Sequence, residues 1–189
     1  ELGHGYAARY FGDDTAAQRG RLSWNPVVHA ELFGSVLLPL MLWFLTPVAF
    51  GWAKPVPVDV SKLRSPRRDM ALVALAGPAA NGLMALAWAF GWRLAMEFQV
   101  GVTISWMCLT GISLNIAIGL LNLLPVLPLD GGRIVSSALP TRWLPRYQAT
   151  TLPAVVVLLA LLFFGQLGAI IGPVVTTLSN AMMIVAAAL

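Results

Sequence analysis

Charge is what this sequence has least of. Only 11% of its 189 residues are Asp, Glu, Lys or Arg, against roughly 25% in a soluble globular domain, which excludes an ordinary water-soluble fold. Cysteine is almost missing as well. The single Cys108 rules out an internal disulfide and sits inside an apolar run, where it reads as a small buried apolar residue, so no oxidising compartment is implied. No cleavable signal peptide or low-complexity tract is visible, and the chain starts at Glu1 without a methionine, as expected of a fragment or a processed form. The formal net charge of +4 does not point to nucleic acid, because a basic balance in an apolar chain more often reflects loops retained on the cytoplasmic side of a membrane.

What fills the sequence instead is apolar: 58% of residues are hydrophobic and the mean hydropathy is +0.78, so the chain belongs in a lipid bilayer. A helix needs about 20 apolar residues to cross the hydrocarbon core. Three uncharged runs are that long, 70–92, 98–129 and 147–189, the last with room for two spans. A fourth, 32–53, contains Pro39 and Pro47. Each proline removes a backbone donor and breaks a helix, so this run either crosses or dips in and returns. The seven tryptophans suit interfacial belts or packing and imply no cofactor.

Two polar features stand out against this background. The chain opens Glu1, Leu2, Gly3, His4, which is what remains of HExxH if a histidine stands immediately before Glu1. That motif works because residues four apart share a helix face, so two imidazoles grip one zinc ion while the intervening glutamate reaches the attacking water. Alone, a Glu and a His near a chain end also arise by chance. The second feature is 122–133, NLLPVLPLDGGR, where Asp130 follows a continuous apolar stretch. An ionisable group at membrane depth costs about 3 kcal/mol even on a lenient scale, so it pairs or binds something. The alternative is that Asp130 caps a DGG turn at the interface through its own backbone.

With both features in hand, the chain resembles the site-2 protease family of intramembrane metalloproteases, in its compact form without a PDZ domain. ELGH matches the tail of the family's HExxH, Asn122 and Asp130 match its second motif, and Gly77, Pro78 and Asn81 in AGPAAN resemble its third; the segment 51–58, GWAKPVPV, is also similar to members of this branch. The resemblance implies one Zn2+ ion with His4 and Asp130 as ligands, Glu1 as general base, and Asn122 holding the reacting carbonyl or its oxyanion. It also implies Gly77 and Asn81 at the substrate, a transmembrane protein as substrate, and a first zinc histidine, first transmembrane helix and most of the second lying upstream of Glu1. For Gly77 and Asn81, packing of small residues between helices stays equally open. His29 is not expected to be a ligand.

Basic residues give an independent check on topology. Arg9, Arg19 and Arg21 precede the run 32–53, and Lys54, Lys62, Arg64, Arg67 and Arg68 follow it; Arg133, Arg142 and Arg146 follow Asp130, and only Arg93 lies between the next two spans. If 32–53 dips in and returns, eleven of the twelve cations fall on one side, as cytoplasmic loops require, and His4 and Asp130 reach the same depth.

The expectation is therefore an all-α integral membrane protein, a multi-helix bundle forming one membrane-embedded core over 1–189. Residues 9–68 form its cytoplasmic and re-entrant region, and a small β-hairpin within 14–28 lies near the active site, suggested by Gly20 and Asn25-Pro26 around RLSW; a plain interfacial loop is the alternative. The expected activity is zinc-dependent hydrolysis of peptide bonds in or near transmembrane segments, in a prokaryotic cell membrane, with the site nearer the cytoplasmic face. A catalytically inactive protein that binds membrane helices, or a transporter using Asn81, Asn115, Asn122 and Asp130 at depth, are the competing classes. Substrate identity and oligomeric state do not follow from the sequence.

Overall fold

In lipid, backbone amides and carbonyls find no water and must be satisfied within the chain, which favours helices. A computed structural model describes residues 1–45 and 51–188, and every regular element among these described residues is helical. The chain divides into two compact units, Glu1–Ala76 and Gly77–Leu189.

The first unit opens with α1 (Leu2–Tyr10). It is followed by a turn in which Gly12 adopts φ 108°, a conformation L side chains rarely take, and by the short α2 (Thr15–Gln18). Asp13 locks this turn. It has no exposed surface and accepts hydrogen bonds from the Thr15 amide at 2.9 Å, the Thr15 hydroxyl, and the Asp59 amide at 2.6 Å. Lys62 Nζ in turn reaches the Thr15 hydroxyl at 2.9 Å. Burial pushes the Asp13 carboxyl up, but these bonds and the charge of Lys62 outweigh it and hold the group below its ordinary 3.8.

The two ends of the run with the two prolines meet. A π-helical turn, Leu32–Leu37, leads into α3 (Leu38–Leu45), with Pro39 in its first turn; Pro47 lies outside the described residues. The Lys54 amide donates to the His29 carbonyl at 2.9 Å and the Trp52 amide to the Gly34 carbonyl at 3.0 Å. A hydrocarbon core is about 30 Å thick, so two ends joined by such bonds cannot stand on opposite sides of it. Side chains reinforce the neck: Ser35 Oγ donates to the Trp52 carbonyl at 2.8 Å and Trp52 Nε1 to Glu31 Oε2 at 2.7 Å.

The β-hairpin expected within 14–28 does not form. Residues 15–18 are helical, and Asn25 Oδ1 accepts the Val27 amide at 3.0 Å to cap a 3-10 turn, Pro26–His29. That turn carries the chain away before a second strand can return, and Pro26 has no amide to offer a ladder. Nearby backbone carbonyls are satisfied by a side chain: Arg21 donates to those of Val28, Lys54 and Pro55.

Helix α4 (Pro66–Glu97) starts in the first unit, where Asp69 accepts the Ser65 amide at 2.7 Å while its own amide donates to the Ser65 carbonyl at 2.8 Å, a reciprocal cap. Ala8, Leu63 and Val73 form a small core there, with Phe11, Val58 and Met70 against it.

The second unit continues with α5 (Val102–Asn122), α6 (Asp130–Ala138), α7 (Leu144–Ala149), α8 (Thr151–Phe163) and α9 (Gln166–Ala188). Helices α4, α5 and α9 are long and apolar enough to span a membrane, and 141–163 forms a fourth candidate bent by 44°. The two spans expected in 147–189 thus separate at Gly165, whose φ of 72° makes the turn. Ala85, Ala89, Ile112, Ile116 and Ala186 are the core of this unit. Arg93, the cation isolated between spans, donates to the Ala186 carbonyl at 2.8 Å and so satisfies the C-terminal end of α9.

Replacing Asp13 by Ala leaves the Asp59 and Thr15 amides without their acceptor and is expected to lower stability by about 1–3 kcal/mol. Because the folded pKa lies below 3.8, the contribution is complete above that pH and is lost as pH falls through the folded value. Unfolding midpoints in detergent for wild type and Asp13→Ala should therefore converge on acidification and stay separate at neutral pH.

Candidate active site

Glu1 and His4 sit one turn apart at the start of α1, Glu1 exposed and His4 half-buried. His4 Nδ1 lies 2.8 Å from the Val73 carbonyl. A carbonyl only accepts, so Nδ1 carries a proton, the orientation that backbone carbonyls impose on metal-binding histidines. Glu1 Oε2 accepts the amide of Val56 at 2.8 Å. Gly5 makes room for this: a β-carbon there would stand 2.3 Å from Leu22 Cδ2 and 3.1 Å from Val56 Cγ1, so the segment 54–58 can lie against α1.

In the second unit, α5 ends at Asn122 and an irregular stretch, 123–129, leads to α6, whose first turn carries Asp130 at 7% exposure. The DGG triplet is thus the start of a helix rather than a free-standing interfacial turn, and the helix N-terminus favours the carboxylate. Its glycines are demanded by backbone. A β-carbon on Gly131 would fall 2.2 Å from the Leu123 carbonyl oxygen, and one on Gly132 2.5 Å from the Leu127 nitrogen. Tyr147 Oη donates to the Pro125 carbonyl at 2.8 Å, tying α7 to the same stretch. Asn81 and Pro78 of α4 face Gly119 on the last turn of α5; a β-carbon on Gly119 would meet Asn81 Cβ at 3.5 Å and the Pro78 carbonyl at 3.7 Å.

Each unit therefore gathers its own share of the expected residues. Glu1 and His4 are together in the first; in the second, Asn81 lies against the end of α5, and the stretch after Asn122 folds onto the glycines after Asp130. Gly77 immediately precedes Pro78 on α4. Among the described residues there is no group of three or more His, Cys, Asp or Glu side chains arranged to hold a metal ion. The donor chemistry still suits zinc: an imidazole oriented by a backbone carbonyl, and a carboxylate. His29 is engaged elsewhere, its Nε2 3.0 Å from the Ser23 carbonyl.

Several of the groups in contact with these residues carry no motif. The Val73 carbonyl and Val56 amide are backbone, and no residue type announces them. Arg21 reads in the sequence only as a loop cation, although it is buried to 8% exposure. Only the doubled glycine after Asp130 gives a visible signal.

Gly131→Ala is expected to displace either the 123–127 backbone or the start of α6, because the obstructing atoms are main chain and cannot rotate aside. A loss of about 3 kcal/mol or more, read as a lowered unfolding midpoint, should exceed that of Gly168→Ala, where nothing lies within 4 Å of the new carbon.

Comparison with known proteins bears on what these residues belong to. Residues 94–164, which include Asn122 and Asp130, match the peptidase family M50. The chain is 38% identical over 148 residues to a Bacillus subtilis (strain 168) protein named "Putative zinc metalloprotease YwhC", an alignment covering 74% of this chain and 64% of that protein. It is 31% identical over 131 residues to "Putative zinc metalloprotease Rip2" of Mycolicibacterium smegmatis (strain ATCC 700084 / mc(2)155), covering 69% of this chain and 49% of that one. The chain thus spans less than two thirds of the length of these relatives. No solved structure gives a significant match. Apolar helices, the motif around Asp130 and two relatives that carry the name zinc metalloprotease support the M50 metallopeptidases, the site-2 protease family, as the family that this chain resembles.

Proposed function

We propose that the chain is the core of an intramembrane zinc metalloprotease that hydrolyses peptide bonds in or near transmembrane segments of membrane proteins. The observation that carries this reading is the first turn of α1, where Glu1 accompanies a His4 ring oriented by the Val73 carbonyl. In this reading His4 and Asp130 are ligands of one Zn2+ ion.

When bound, zinc would supply a Lewis acid that polarises the reacting carbonyl and lowers the pKa of a water to about 7. The chain's own residues do the rest. Glu1 takes a proton from the attacking water and delivers it to the departing amine, the two proton transfers any peptide hydrolysis needs. Asn122 donates its amide to the oxyanion as charge develops. Asn81 offers a second amide from α4, and Gly77, one turn away on the same face, lets an extended peptide come close. A helical substrate must unwind locally, because its amide bonds are otherwise hidden in internal hydrogen bonds.

Placement of the site near the cytoplasmic face is supported by the closed excursion at 32–53. Its joined ends put Arg9, Arg19 and Arg21 on the same side as Lys54 and Lys62, in keeping with the retention of basic loops. The bilayer around the apolar helices and a transmembrane substrate are the partners this reading requires.

Glu1→Gln keeps a side chain of the same shape but removes the base. Cleavage of a reporter single-pass membrane protein should fall by at least about 100-fold, with zinc content by elemental analysis unchanged; full cleavage by this variant would sink the proposal, and a wild type that binds reporter without cutting it would favour a helix-binding role. Cysteines introduced at Ala30 and Ala53 in a Cys108→Ala background should both react with an impermeant thiol reagent applied to the cytoplasmic face. Labelling from opposite faces would refute the re-entrant topology.

A further inference from the structure

Arginine 21 is a charged side chain buried to 8% exposure, and burial of a cation is costly unless its donors are satisfied. Its Nη1 donates to the Val28 carbonyl, and its Nη2 to the carbonyls of Lys54 at 2.7 Å and Pro55 at 3.4 Å. A planar guanidinium presents such donors in a rigid fork, so the position of 54–55 relative to residue 28 is fixed. The residues just after Pro55 give that rigidity a use. Between Pro55 and Pro57 the backbone carries one amide proton, that of Val56, since proline has none. That amide goes to Glu1 Oε2 at 2.8 Å, while the Val56 side chain is buried at 7% exposure beside Gly5.

We infer that Arg21 is a positioning residue for the general base: it holds the strap 54–56 so that the Val56 amide sets the orientation of the Glu1 carboxylate. The inference rests on the proposed role of Glu1. A carboxylate at the end of a flexible side chain samples several rotamers, and one fixed amide selects among them. Misplacement of a catalytic group by 1 Å can cost about 100-fold in rate. Arg21 does this through three carbonyls and the strap, without touching the reacting atoms.

The experiment has two arms on the full-length protein. In the first, the protein is labelled with 15N-valine and exchange of the Val56 amide is followed by NMR; this amide is the single exchangeable backbone site in the tripeptide 55–57. Wild type should protect it, and Arg21→Gln and Arg21→Lys should each speed its exchange at least about tenfold, the lysine variant less than the glutamine because it keeps the charge and a single donor nitrogen. In the second, cleavage of the reporter is measured with zinc content and unfolding midpoint. Arg21→Lys should lower kcat about 10- to 100-fold with KM within about twofold and zinc unchanged. A purely structural arginine would instead lower the midpoint and the active fraction, with Val56 exchange and the kcat of the folded enzyme unaltered, and that result overturns the inference. Unchanged Val56 exchange in both variants overturns it whatever the activity. Failure of the wild type to cleave in a Glu1-dependent way defeats the protease reading instead, and with it the catalytic use of the strap, even where Val56 exchange responds to Arg21.

Discussion

Two backbone hydrogen bonds, from Lys54 to His29 and from Trp52 to Gly34, constrain the first unit more than any side chain does. They force a proline-bearing apolar run to begin and end at one place. Once the ends meet, the segment after Lys54 has to pass beside Arg21, and the carbonyls it presents there give a buried guanidinium its partners. The same segment then reaches α1 close enough for the Val56 amide to meet Glu1, because Gly5 has no side chain in the way. Topology, burial of a cation and orientation of a carboxylate are in this sense one linked set of bonds.

The second unit solves a related problem with small residues. Its helices cannot rely on water to drive them together, so close approach matters more than apolar area. Gly111 lies under the indole of Trp88, where a β-carbon would stand 2.4 Å from Cδ2, and Gly91 lies 3.4 Å by the same measure from Cys108 Sγ. Gly119 likewise admits Asn81. At the end of α5 the approach becomes backbone against backbone, with Gly131 and Gly132 under residues 123–127. An aspartate at the end of an apolar run is thereby held at the first turn of a helix by the absence of side chains after it.

Hydropathy and cation placement are enough to read the spans and the return of 32–53, because both reflect the bilayer's thickness and its preference for where arginine and lysine lie. Motif spacing is enough to point to the family, and it is the source of the proposal for Glu1, His4, Asn122 and Asp130. The hairpin fails for a local reason: RLSW has the composition of a strand, but Asn25 caps a 3-10 turn and Arg21 takes carbonyls a neighbouring strand would have used. Arg21 itself illustrates the limit. Among twelve cations nothing in the sequence separates the one that is buried from those that only hold loops on one side of a membrane, since burial depends on a contact 33 residues away.

The alternation Pro55, Val56, Pro57, Val58 has a further effect on how that stretch meets other chains. Pro55 and Pro57 have no amide hydrogen, and the one amide between them, that of Val56, is held by Glu1. The stretch 55–57 therefore has no backbone donor left to offer, and a stray peptide or another copy of the chain finds none there with which to build a ladder.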